Sequence, residues 1–377
     1  MNLIRSIYKT KTLTNNGVFV VVCGLVLLII GYFIPDVKSG NINKQIYTLN
    51  GFSTKYNDHT ELVDFYQSIK KNNGFLVLGT SETTTLKGGN YYDFLNNDKD
   101  IKGNKFSLLA GAGRTCGIHI PLLLHHQDQV DSLKIIYFIN PVYWRTDLCD
   151  VSLEYWNRYS NYKVCGGFDL SPKEEKAFLT PIMAYTNKLN WFEKSAQYME
   201  QVIRSARRNY FHKLRYSISP EDYSSQFRFL SSTKVDYTNS PLYGKPNLES
   251  IDTTWNILKS FTNKSWFKPI DKASNYRYQE LTSFIKLCES LGIKATFIVG
   301  PYNERFITQY DPKSVGNYNS TVQNIKQLLT DSNAEFIDAT DISNVVGAFN
   351  DHQHHSSYGA FLIYRKIKSQ LYGKESL

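Results

Sequence analysis

Short apolar runs separated by amphipathic stretches set the outline of this chain. Residues 74–82 read Gly-Phe-Leu-Val-Leu-Gly-Thr-Ser-Glu. An apolar run that ends in a glycine and turns polar at once is the pattern of a buried strand stopping at a turn. The same pattern recurs at Lys105–Ala110, followed by Gly111-Ala112-Gly113, and at Lys134–Ile139, followed by Asn140-Pro141. Between them, Glu61–Lys70 and Gly117–Leu133 carry helical spacing of apolar residues. After a long interval the alternation resumes. Tyr278–Leu291 predicts a helix, Lys294–Val299 a strand, Val322–Leu329 a helix, Glu335–Asp338 a short strand and Tyr358–Leu371 a closing helix. Strand, helix, strand at this spacing predicts an α/β fold with a parallel sheet and helices on both faces. In such sheets ligands bind at the carboxyl ends of the strands, which puts Ser81 at the mouth of a cleft. Gly-x-Ser is also ordinary turn chemistry, so the residue carries little by itself.

The amino terminus breaks this rhythm. Residues 17–34 form an almost uninterrupted, uncharged apolar run, and its eighteen residues nearly cross a hydrocarbon core of about 30 Å. Arg5, Lys9 and Lys11 precede it without an acidic residue, so the amino terminus is expected inside the cytoplasm and everything beyond the anchor outside. A cleaved signal peptide is the competing reading, but the run is longer than a usual signal core and no Ala-x-Ala site follows. The expected organisation is a tail over 1–16, an anchor over 17–34 and a polar linker or cover over 35–59. One domain then covers 60–375, with an insertion at about 150–270. Pro172–Ser219 in that insertion reads as helical and basic, and Pro220–Pro269 as polar and irregular.

Composition adds two facts. The 27 Tyr and 22 Phe are an unusual aromatic load, and the net charge is +9. A basic chain suits a polyanion, but there is no nucleic-acid motif. In an exported protein the expected polyanion is an envelope polymer or lipid headgroup; a solvated basic surface is the alternative. Cys149 and Cys165 bracket a Tyr- and Trp-rich stretch and are the favoured disulfide pair in an oxidising compartment. Cys288 is expected as a buried free thiol. No Cys/His spacing resembles a zinc site, and no cofactor is implied.

The remaining chemistry lies in Asn350-Asp351-His352-Gln353-His354-His355-Ser356-Ser357-Tyr358-Gly359, just before the closing helix. An Asp three residues before a His places its carboxylate on imidazole Nδ1–H within one turn, as a general base acting on a hydroxyl requires. Three imidazoles in four positions leave metal binding open as an alternative. His125-His126, in an apolar helix, reads as a structural edge. Tyr143, Trp144, Tyr155, Trp156, Tyr159 and Tyr162 either wall a glycan or acyl site or pack the insertion, and packing is favoured.

A Ser after the first strand together with Asp-x-x-His before the last helix resembles the SGNH hydrolases. In that family a Gly follows the catalytic His by five positions; Gly359 stands five after His354. The resemblance implies a three-layer α/β/α parallel sheet, with Ser81 as nucleophile, His354 as base and Asp351 as its partner. It also implies oxyanion donors from the amides of Ser81 and Gly113. Asn140 is the candidate for the family's third-block Asn, at unexpected spacing. A narrower resemblance is to the DltD family, proteins of D-alanyl-lipoteichoic acid biosynthesis. Gly79-Thr80-Ser81-Glu82 is similar to its Gly-Ser-Ser-Glu, with Thr80 in place of the first Ser. Residues 111–119 are similar to its second block. Asn140-Pro141-Val142-Tyr143-Trp144 resembles its Ser-Pro-x-Trp, with Asn for Ser. That resemblance implies acyl transfer to an envelope polymer and a membrane-bound O-acyltransferase partner. Arg114, beside the expected oxyanion glycine, is a substrate-binding candidate together with Asn140 and Trp144, although a surface ion pair accounts for Arg114 equally well. A non-catalytic subunit that binds the polymer or the acyltransferase complex is the alternative.

Overall fold

The computed structural model describes residues 17–19, 21–26, 53–55, 62–84, 86–101, 103, 105–111, 113–144, 171–182, 239–248, 267–272 and 275–373. Six strands form one sheet in the order β1-β3-β2-β4-β5-β6. Their ranges are β1 Ser53–Lys55, β2 Phe75–Gly79, β3 Phe106–Ala110, β4 Lys134–Ile139, β5 Lys294–Val299 and β6 Glu335–Asp338. The last five strands pair in parallel, Gly79 opposite Ala110 and Leu78 opposite Tyr137. The exception is β1, which pairs antiparallel with β3. The stretch 35–59, expected as linker or cover, therefore contributes an edge strand. Three residues of pairing are too few to leave a periodic signal.

Alternate residues of each strand point to opposite faces, and both faces are covered. On one face Leu76, Leu78, Leu109, Ile135, Tyr137, Phe297 and Val299 join a core with helices α1 (Leu62–Lys71), α3 (Cys116–His125), α5 (Tyr276–Ser290) and α7 (Val315–Asp331). On the other, Val77, Phe106, Leu108, Ile136, Phe138 and Ile298 meet α2 (Tyr91–Asn97) and α8 (Ser357–Tyr372). The sheet is thus the middle of three layers, as expected. Near-complete burial of β2, β3 and β4 fits their lack of polar alternation.

The helix expected over 117–133 is two pieces, α3 and α4 (Gln127–Val130), separated at His126, whose backbone leaves the helical region at φ −112° and ψ 28°. His126 packs edge-on against Tyr66, which agrees with its expected structural place. Two helices were not anticipated: α2 and α6 (Glu304–Tyr310). Cys288 and Cys116 are buried free thiols; Cys149 and Cys165 lie outside the described residues, as does most of the expected insertion. Among the described residues no helix is long and apolar enough to cross a membrane. Helical backbone is described at 17–19 and 21–26, with Phe19, Val21, Val22 and Leu25 at least half exposed, and the rest of 17–34 lies outside the described residues.

Candidate active site

Among the five parallel strands the order β3-β2-β4-β5-β6 reverses direction between β2 and β4. The crevice outside the carboxyl ends of two such strands is where open α/β sheets bind ligands. Ser81 follows β2 and Asn140 follows β4, so both stand at that switch point.

Ser81 opens a single 3₁₀ turn, Ser81–Thr83, closed by Thr83 N–H to Thr80 O at 3.1 Å and Thr84 N–H to Ser81 O at 3.2 Å. The turn folds tightly back on the strand end. A Cβ at Gly79 would lie 2.1 Å from Thr83 Oγ1, so only glycine fits there. The Ser81 side chain is left part-exposed, while Thr80, Glu82 and Thr83 around it are buried.

The loop before α8 meets this turn from the far end of the chain. Ser81 Oγ lies 2.9 Å from His354 Nε2, and His354 Nδ1 lies 2.7 Å from Asp351 Oδ2. The Asp351 carboxylate also accepts the backbone N–H of His354 at 2.7 Å and of Gln353 at 2.8 Å. Asn303, at the start of α6, donates its side-chain amide to Asp351 O at 3.0 Å. Three bonds on one carboxylate fix its direction, and the carboxylate then fixes the imidazole with Nδ1 protonated and Nε2 free to accept from Ser81. Burial raises the Asp351 pKa, but the bonds and charge of His354 outweigh it and hold the carboxyl below its ordinary value. Burial likewise works against protonated His354, yet Asp351, with a smaller contribution from Glu82, holds its pKa above the ordinary value.

Glu82, next to Ser81, is buried, with its carboxylate bonded to Thr80 Oγ1 and, at 3.3 Å, Thr80 N–H. Burial raises its pKa, opposed by those bonds, by the His354 charge and by Asn140. Asn140 Oδ1 accepts Val142 N–H at 3.0 Å. Its Nδ2 is buried with no acceptor among the described residues, although it lies near enough to Glu82 to act on that carboxyl. Gly113 sits in the β3–α3 loop in left-handed backbone, φ +66°. Gly111 N–H bonds Gly79 O at 3.3 Å, so the Gly113 and Ser81 loops run side by side.

Other expected residues fall elsewhere. Trp144 is buried in the core on the α3–α5 face and presents no surface to a ligand; its position after a strand could not reveal that. Arg114 is buried rather than in a surface ion pair, and its charge, after burial, helps push the His119 pKa down to about 3. Of the histidine cluster, only His354 faces Ser81. His352 packs against Phe306 and Tyr302, and His355 points into the interior. No group of three or more metal-ligating side chains exists among the described residues. Sequence reasoning missed Glu82 and Asn90 as site-supporting residues. The Asn90-x-x-Asp93 capping pattern was the available signal, hidden next to Gly88-Gly89.

A buried network anchors the loop that carries Gly113. Glu280 on α5 accepts Thr115 Oγ1 and Gly117 N–H, both at 2.7 Å, and pairs with Arg277 at 2.5 Å. Arg277 also lies over the Tyr276 ring at 4.7 Å.

Fold and geometry define the class: an α/β protein with a serine–histidine–aspartate relay at the switch point of a parallel sheet. A family model described as DltD protein matches residues 258–370. The matched segment contains Asp351 and His354; Ser81 and Gly113 lie outside it. The extracellular lipase from Streptomyces rimosus is similar at 9% identity with a TM-score of 0.33, over 77% of this chain and 97% of the lipase. A comparison with curated proteins finds no match.

Proposed function

We propose that this protein transfers an acyl group to or from a cell-envelope polymer through an acyl-enzyme on Ser81, in the manner of an SGNH-type serine enzyme. The observation that carries this reading is the relay from Ser81 Oγ to His354 Nε2 at 2.9 Å and on to Asp351 at 2.7 Å. In the first half-reaction Ser81 Oγ attacks the acyl carbonyl and its proton passes to His354 Nε2. The tetrahedral oxyanion is met by the amides of Ser81 and Gly113. Collapse breaks the bond to the leaving group, which takes the proton from His354. In the second, an acceptor hydroxyl or water gives its proton to His354 and attacks the acyl carbon, and collapse breaks the bond to Ser81 Oγ, which takes that proton back from His354. Donors aimed at the developing charge contribute several kcal/mol to such a barrier, of order 3 kcal/mol each.

The match of residues 258–370 to the DltD family model supports D-alanyl as the acyl group and teichoic acid as the polymer. The net charge of +9 favours an anionic acceptor. A membrane-bound O-acyltransferase is the proposed partner, and residues 17–34 the proposed single anchor, with the catalytic domain outside. A purely binding subunit needs no hydrogen-bonded Ser81 and His354, and their 2.9 Å contact supports the catalytic reading. Cells carrying Ser81→Ala at normal protein levels are expected to lose most polymer-bound D-alanine. Retained acylation would contradict the proposal.

A further inference from the structure

Ser81 and His354 are 273 residues apart in sequence, and their loops hang from different strands and helices. Acid–base work on a hydroxyl requires those loops to be held within a fraction of an ångström. The neighbouring residue His355 bridges them.

Asn90 is the centre of the bridge. Its Nδ2 donates to Glu82 O at 2.9 Å and to Thr84 O at 3.0 Å, the backbone on either side of the nucleophile turn's last residue. Its Oδ1 accepts Tyr91 N–H at 2.8 Å at the start of α2, and its own N–H is held by Asp93 at 2.7 Å. The two carbonyl contacts require the amide nitrogen on that side, which leaves Oδ1 facing His355 Nε2 at 2.9 Å. Nε2 of His355 must therefore carry the proton. Asn90 and His355 are both fully or nearly buried, at 0% and 2% exposure, where a lost partner is costly. The His355 ring lies between Phe138 of β4, at 5.7 Å, and Tyr91 of α2, at 6.3 Å. On its own loop, its carbonyl accepts Asn350 Nδ2 at 3.2 Å. A second tie runs beside it, from Ser357 Oγ to Gly88 O at 2.5 Å.

We infer that His355 is a positioning residue for the acyl-transfer reaction: through Asn90 it locks the Ser81 turn to the His354 loop. The inference rests on the proposed role of Ser81 and His354. His355 makes no contact with the reacting atoms, so it acts through Asn90, and its imidazole serves as a neutral donor.

The test compares wild type with His355→Phe, which keeps the ring volume and removes the donor, and His355→Gln, which keeps an N–H donor. The first readout is the rate at which a fluorophosphonate probe labels Ser81, with Tm measured alongside. His355→Phe is expected to slow labelling about tenfold to a hundredfold, with Tm within about 5 °C of wild type. His355→Gln is expected to recover most of the rate. Wild-type labelling in His355→Phe, or no recovery in His355→Gln, would overturn the inference. The second readout needs no activity: hydrogen exchange of the Thr83 and Thr84 amides that close the Ser81 turn. These amides are expected to exchange faster in His355→Phe, and unchanged exchange would overturn the bridge. If the wild-type protein is not labelled while the exchange difference appears, the nucleophile assignment fails and the bridge stands.

Discussion

At the residue scale, chemistry depends on where one proton sits. In the proposed mechanism His354 must be neutral at Nε2 to take the Ser81 proton, and its net pKa lies above the ordinary histidine value of 6.5 because Asp351 outweighs burial. Hydrolysis of p-nitrophenyl acetate should therefore rise with pH, along a limb whose midpoint in kcat/KM lies above 6.5. Asp351→Asn removes the charge that holds the imidazolium and favours the wrong tautomer. It should move that limb to lower pH and cost roughly 10⁴ in rate. An unmoved limb would mean that His354 is not the titrating base. The His354–Asp351 pair was readable from spacing alone, since three residues span one turn. The choice among three histidines came from resemblance, through Gly359. The structure supplies a physical reason: a Cβ on Gly359 would lie 2.2 Å from Ala348 O and 3.0 Å from His355 Cβ. Only glycine lets α8 approach this closely.

At the element scale, β2 to β5 were readable as largely apolar runs ending in a turn, and β6, Glu335-Phe336-Ile337-Asp338, as a short strand between two helical stretches. α5, α7 and α8 were readable from their spacing, although α7 begins at Val315, seven residues ahead of the expected start. Its opening stretch, Gly316-Asn317-Tyr318-Asn319-Ser320, is mostly polar and carries no periodic signal. α2 escaped notice because its helical signal is a cap, with Asn90 and Asp93 bonding each other's backbone. β1 is recruited by its neighbour β3, a tertiary effect that three residues do not announce. The proposed anchor belongs to this scale as well. Six apolar side chains at 18, 19, 21, 22, 25 and 26 stand about half or more exposed, which in water is unfavourable and in lipid is not. Protease added to intact spheroplasts should digest the chain beyond about residue 40, a point set by where a span of about 20 residues ends. Protection of the domain that carries His354 would contradict a cytoplasmic amino terminus.

At the scale of the whole molecule, the five parallel strands of the sheet collect the ends of distant segments at one edge, and that edge holds the candidate site. Ser81 and Asn140 come from the two strands flanking the switch point, Gly113 from the loop after β3, and Asp351 and His354 from the loop before α8. Sequence could place these residues at one edge through strand–helix alternation, but not show which side chains meet. Burial decided that, sending Trp144 and His355 inward and leaving Ser81 part-exposed. Buried struts hold the edge together: Glu280 with Arg277 behind the Gly113 loop, and Asn90 with His355 behind the Ser81 turn. The central claim is that Ser81, His354 and Asp351 act as one unit, and the most direct measurement is the site and rate of fluorophosphonate labelling. Wild type should be labelled at Ser81, His354→Ala should lose most of the rate, and Ser81→Ala should not be labelled at all. In ester turnover the double variant should be scarcely worse than either single one. Full labelling of His354→Ala, or modification at another serine with Ser81 untouched, would contradict the account.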